Sequence, residues 1–204
     1  MKRIISLILG CLLLAGCQPV DEEAAKAPVT GFLNAIQEGD LEKAAQFESA
    51  DMEGKDSLLE DTSEFDALLK DAGFGEAFDA QAAEFQKKET ALAVQTYEIE
   101  SVSGHGSTAT VRTGITGIPV NELDPEAMMS DIEAGLTEDI RKYGEEHPEE
   151  TDQDKILGDL GKLVFDRMYE QIAGRQPEDK VLNFKVVKEK DSDVWKIQSI
   201  EEAE

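Results

Sequence analysis

Apolar positions along this chain change period three times, and each change marks a change of element. Val29, Phe32, Leu33 and Ile36 stand at i, i+3, i+4 and i+7, which predicts a helix over 27–38. Pro28 suits its first turn and Gly39 its stop. Asp40 then caps a second helix to about residue 48, with Leu41, Ala44 and Ala45 inward. Residues 49–55 read as a polar connection. Helical patterns over about 56–71 (Leu58, Phe65, Leu69) and 76–88 (Phe78, Ala82, Phe85) follow, separated by Gly73-Phe74-Gly75.

The period then drops to 2. Residues 92–102 and 107–120 are rich in Val, Ile, Thr and Tyr, and Gly104-His105-Gly106 joins them as a hairpin. Tyr97 and Ile99 share one face, as do Val111 and Ile115, while Gly117 breaks the alternation and predicts a bulge or bend. Residues 121–180 return to helical spacing. Asp124-Pro125 opens a stripe of Met128, Ile132, Leu136 and Ile140, and Thr151 opens another of Ile156, Leu160, Val164 and Met168. The two stripes predict an antiparallel helical hairpin. Leu157, Phe165 and Tyr169 widen the second stripe beyond a two-helix seam. Either the sheet covers it, with the hairpin lying over the sheet as a lid, or a partner does, the lid being the first expectation. Strands over 181–189 (Leu182, Phe184, Val186) and 194–201 (Trp195, Ile197) close the chain around the Asp191-Ser192-Asp193 turn. The order gives an α+β domain over 27–204, with a four-stranded antiparallel sheet, N-terminal covering helices and a two-helix insertion between strands 2 and 3.

The first seventeen residues have a different logic. Lys2 and Arg3 precede an apolar run from Ile4 to Leu14, interrupted by Ser6 and Gly10. At 1.5 Å per residue this run covers about half of a hydrocarbon core, as the apolar region of an export signal does. It ends in Leu14-Ala15-Gly16-Cys17, which resembles the bacterial lipobox. The expected cleavage falls between Gly16 and Cys17, leaving residues 1–16 as signal peptide and Cys17 as the carrier of diacylglyceryl and further acyl groups such as palmitate. Residues 17–26 then read as a polar tether. The expected address is the extracytoplasmic face of the cell membrane, or the outer membrane in a two-membrane bacterium, since Gln18 lacks the retaining Asp. Cys11 leaves with the signal, so the mature chain has no free thiol, disulfide or thiolate ligand.

Charge narrows the partners. Lys and Arg number 20 against 45 Asp and Glu, a net charge of −25 that becomes −27 without Lys2 and Arg3. Such a surface excludes nucleic acid, whose phosphates need a basic footprint. The acidity belongs mainly to the helical regions. The two histidines, His105 in a hairpin turn and His147 before Pro148, suit loop positions better than a general base. Asp152 and Asp154 begin an EF-hand-like spacing, but Ile156, Leu157 and Leu163 occupy the positions that need an oxygen ligand, glycine and glutamate. Asp191 and Asp193 fail at Trp195. Catalytic residues, metal ligands and cofactors are therefore expected to be none.

Three pieces carry a resemblance: the lipobox, the opening Phe32-Leu33-Asn34-Ala35-Ile36-Gln37-Glu38-Gly39-Asp40-Leu41, and the closing Val194-Trp195-Lys196-Ile197. Together they resemble small, mostly Gram-positive lipoproteins that carry a nuclear transport factor 2-like, or cystatin-like, domain of uncharacterised function. The resemblance implies a cone-like sheet under its helices and a non-catalytic module binding a small ligand or an envelope protein. Tyr97, Ile115, Leu160, Phe184 and Trp195 are the expected pocket lining. Two other readings stand beside it. One is a small-molecule enzyme of that superfamily using pocket carboxylates, and the other is a precursor whose released signal fragment acts as a pheromone.

Overall fold

The computed structural model of the chain describes residues 19–59, 76–122, 125–190 and 192–203, with the backbone alone at 56, 125–134 and 136. The signal segment, Cys17, Gln18, most of the helix expected over 56–71, Asp124, Asp191 and the side chains of Met128, Ile132 and Leu136 lie outside the described residues.

Helix α1 (Glu22–Gln37) opens five residues earlier than the apolar spacing predicts. The Asp21 carboxylate accepts from the Ala24 N–H at 3.1 Å, and Glu22 and Glu23 fill the first turn, where negative charge suits the helix dipole. The segment read as a tether is thus helical from Glu22 onward, and Ala25 is fully buried. Pro28 sits inside the helix, not in its first turn. At the other end Gly39 takes φ +68°, the left-handed conformation of a helix stop. Asp40 turns the chain into α2 (Leu41–Ala45) by accepting from the Lys43 N–H at 2.8 Å.

The sheet has five strands, not four, in the order β1-β5-β4-β3-β2: β1 (Glu48–Glu53), β2 (Thr96–His105), β3 (Thr108–Gly117), β4 (Glu178–Lys188) and β5 (Trp195–Glu202). β1 falls in the stretch expected to be a polar connection. It runs parallel to β5, starting where the Ile197 N–H donates to the Phe47 carbonyl at 2.9 Å, so the sheet is mixed. Its sequence, Glu-Ser-Ala-Asp-Met-Glu, has no apolar alternation because a polar edge strand is held by its neighbour's backbone. The other pairings are antiparallel. The expected irregularity at Gly117 is instead a bulge in the partner strand at Glu100, between Ile99↔Thr113 and Ser101↔Arg112. The extra residue returns Val102 to the face of Tyr97 and Ile99. Gly117 ends β3 at a close approach, since a Cβ there would stand 2.0 Å from the Ala93 carbonyl oxygen.

Val29, Phe32, Leu33 and Ile36 of α1 lie fully buried against the sheet face that carries Val111, Ile115, Leu182, Phe184, Val186, Ile197 and Ile200. The insertion forms α4 (Pro125–Glu146) and α5 (Gln153–Ala173), with Asp152 rather than Thr151 as the cap of α5. It is not a lid over the sheet. α5 packs along α3 (Glu76–Leu92), and its buried face is Gly158, Gly161, Phe165, Met168 and Ile172. The two glycines admit Ala77 and Phe78, and the Phe165 ring lies 5.2 Å from that of Phe78 and 5.3 Å from that of Phe85. Asp139 pairs with Arg167, and the Tyr143 hydroxyl donates to Asp159 at 2.8 Å, tying α4 to α5.

Candidate ligand cleft

Beyond β3 the chain runs Gly117-Ile118-Pro119, and the Ile118 N–H donates back to the Leu92 carbonyl at 2.8 Å. This bond holds Ile118 beside the end of α3, and Leu58, Ala93, Ile115, Ile118, Pro119 and Leu182 supply the apolar lining of a cleft at the end of the sheet away from the β2–β3 turn. Its volume is about 20 Å³, room for a water molecule or two rather than a drug-sized ligand. Glu178, Lys180 and Asn121 stand at the rim. The Lys180 ammonium lies 2.6 Å from Glu122 and 3.9 Å from Glu202, so it is already engaged by two carboxylates. Elsewhere, Gly39, Leu41, Ala83 and Lys87 edge a polar groove of about 310 Å³ open to solvent.

Of the five residues expected to line a pocket, Ile115 lines this cleft. Tyr97 stands directly opposite it across the β2–β3 pair, but its hydroxyl donates to Asn34 of α1 at 2.8 Å. Phe184 is fully buried, edge-on to Phe32 at 6.2 Å between centroids. Trp195 pairs with Lys188 at the opposite end of the sheet and is only 8 % exposed. Leu160 is half-buried on α5, whose packing partner is a helix. Leu58, Ile118 and Lys180 went unforeseen. The signal that could have found Ile118 is the Gly117 break, which throws it out of the strand's phase and into the lining of the cleft.

Most of the described ionisable groups form pairs at or near the surface, and Glu89 on α3 is the buried carboxylate among them. The carboxyls of Glu84, Glu138, Asp139, Glu150 and Asp193 are held below their ordinary range, first by side-chain hydrogen bonds to Lys88, Arg141, Arg167, Lys155 and Lys188 respectively. The Tyr143 phenol is raised, first by desolvation and then by its bond to Asp159. His105 is exposed in the β2–β3 turn, and the His147 ring lies 4.6 Å from that of Tyr143. The Asp152 carboxylate is spent on capping α5, where it accepts from the N–H groups of Asp154 and Lys155. Among the described residues, no group of three or more His, Cys, Asp or Glu side chains could hold a metal ion, and no helix is long and apolar enough to cross a membrane.

No family model matches the sequence, and no curated protein matches it. Among solved structures, the chain is similar to an NTF-2 like protein of unknown function from Shewanella oneidensis MR-1, at 10 % identity and a TM-score of 0.39. The match covers 91 % of this chain and 100 % of that one, and at such a score no argument rests on it.

Proposed function

We propose that this chain is a non-catalytic binding module of nuclear transport factor 2-like fold, held by lipid on Cys17 at the extracytoplasmic face of a bacterial membrane. The observation that carries the binding reading is the apolar cleft of Leu58, Ile115, Ile118 and Leu182 under the Lys180 rim. Its room, a water molecule or two, admits only the apolar tip of a ligand, such as the terminal methyl group of a side chain from a peptide or envelope protein. The anchor rests on the run from Lys2 to Cys17. The non-catalytic reading draws support from Glu84, Asp139 and Asp193, whose carboxyls are each held by a cation and pushed away from acid or base work near neutral pH. Full-length protein extracted from membranes in detergent tests both parts. Mass spectrometry of the N-terminal peptide should find diacylglyceryl on Cys17, and Cys17→Ala should leave the membrane fraction or remain unprocessed. Native mass spectrometry should find a bound molecule in the parent protein that Ile115→Trp, which fills the cleft, no longer retains. Identical bound species in both proteins would move the site elsewhere.

A further inference from the structure

The described chain begins with a contact that bears on the anchor. Pro19 forms an antiparallel bridge with His105, at the tip of the β2–β3 hairpin. Val20 packs against the core, and Asp21 caps α1, so the backbone is fixed from Pro19 onward. Cys17 precedes Pro19 by two residues, at most about 7 Å of extended chain. With acyl chains on Cys17, the hairpin tip is therefore brought to the bilayer surface. The β4–β5 turn lies at the same end, because Thr108 pairs with Val187 and Lys188 with Trp195. That turn presents Lys190, which is exposed, and Val194, an apolar side chain 49 % exposed. The cleft is at the far end of the same strands, about 30 Å away along β3.

We propose that the end of the sheet formed by His105, Gly106, Ser107, Lys190 and Val194 rests on the bilayer that holds the anchor, so that the domain stands end-on with its cleft facing the aqueous phase. This rests on the lipidation proposed above. Two physical terms favour it over a domain lying on its side. The tether is too short to let the domain swing. The acidic helices are repelled by anionic headgroups, whereas at this end Lys188 offsets Asp193, Lys190 stands beside Glu189, and Val194 can enter the interfacial layer. A ligand would therefore arrive from the envelope fluid rather than by diffusion within the membrane.

The experiment uses the full-length lipidated protein in phosphatidylcholine–phosphatidylglycerol vesicles that carry a nitroxide on the lipid headgroup. Single cysteines at Ser107→Cys, Val194→Cys and Glu178→Cys are labelled with a fluorophore, the processed parent having no other free thiol. Quenching should be several-fold stronger at 107 and 194 than at 178. A flexible Gly/Ser insertion between Gln18 and Pro19 should erase the contrast. Equal quenching at the three positions, in protein whose Cys17 carries lipid by mass spectrometry, would overturn the orientation and leave the anchor standing. A contrast unaffected by the insertion would overturn the tether as its cause. Cys17 found without lipid would remove the anchor and the orientation together.

Discussion

The Tyr97 hydroxyl donates to Asn34 Oδ1 at 2.8 Å and so clamps the start of strand β2 to the last turn of α1. Gln37 reinforces the same junction, its amide donating to the Gln95 carbonyl at 2.9 Å. Tyr97 is thus a fastener where the edge of the sheet meets its covering helix. Tyr97→Phe keeps the ring and loses the bond. It should lower unfolding stability by about 0.5–1 kcal/mol, read as a lower urea midpoint with an unchanged slope. Ligand retention should not change.

Glycine has opposite meanings in the two inserted helices. At Gly161 an added Cβ would stand 2.5 Å from the Phe78 ring, whereas at Gly144 nothing lies within 4 Å. In a helix interior, Gly→Ala alone gains about 0.5–1 kcal/mol. Gly144→Ala should show that gain as a higher melting temperature. Gly161→Ala should show a net loss of about 1–2 kcal/mol, because the Phe78–Phe165 pair must give way. A stabilised Gly161→Ala protein would mean that α5 does not pack closely on α3.

Thr113 is fully buried on the face that α1 covers, and its hydroxyl has no hydrogen-bond partner among the described residues. It pairs across the sheet with Ile99 and Leu182, both apolar. An unsatisfied buried hydroxyl costs about 1–3 kcal/mol, so Thr113→Val should stabilise the domain by about 1 kcal/mol in chemical denaturation. A loss of stability would show that the hydroxyl has a partner in solution.

Acid should loosen the helical hairpin at its tie. The Asp139 carboxyl is held below its ordinary 3.8, first by its hydrogen bond to Arg167. A depressed folded-state value contributes stability that is present above 3.8 and lost as pH falls through the depressed value. NMR titration of the Asp139 carboxyl should show that low midpoint, and Arg167→Gln should return it to the ordinary range.

The apolar pattern revealed the two hairpins and the face of α1, because each buries its own large side chains at regular spacing. It also revealed the inserted helices, although Ile140 of the first expected stripe is exposed and only Met168 of the second is buried. It failed where stability comes from something other than apolar bulk. β1 is held by backbone pairing with β5 and has a polar sequence, so alternation could not show it. The first turn of α1 is set by the Asp21 cap, and charge there looked like a tether. The seam of α5 contains Gly158 and Gly161, whose contribution is the absence of a side chain, and a count of apolar residues assigns them no weight. The same limit explains the cleft. Ile115 was legible from its strand, whereas Leu58 and Ile118 come from segments outside regular strands that only the folded chain brings beside it.

β2 is the last strand of the sheet, and its outer side has a single backbone partner among the described residues, Pro19 at the hairpin tip. Ten residues of open edge would ordinarily invite another strand to pair. Here Glu98 and Glu100 project from the exposed face of β2, the bulge at Glu100 breaks the straight run, and Arg112 is drawn across to Glu100 at 2.8 Å. An incoming strand would meet like charge and a kinked register, while the approach from the tip is closed by the chain's own first residues. That edge guards against copies of the chain growing into a shared sheet.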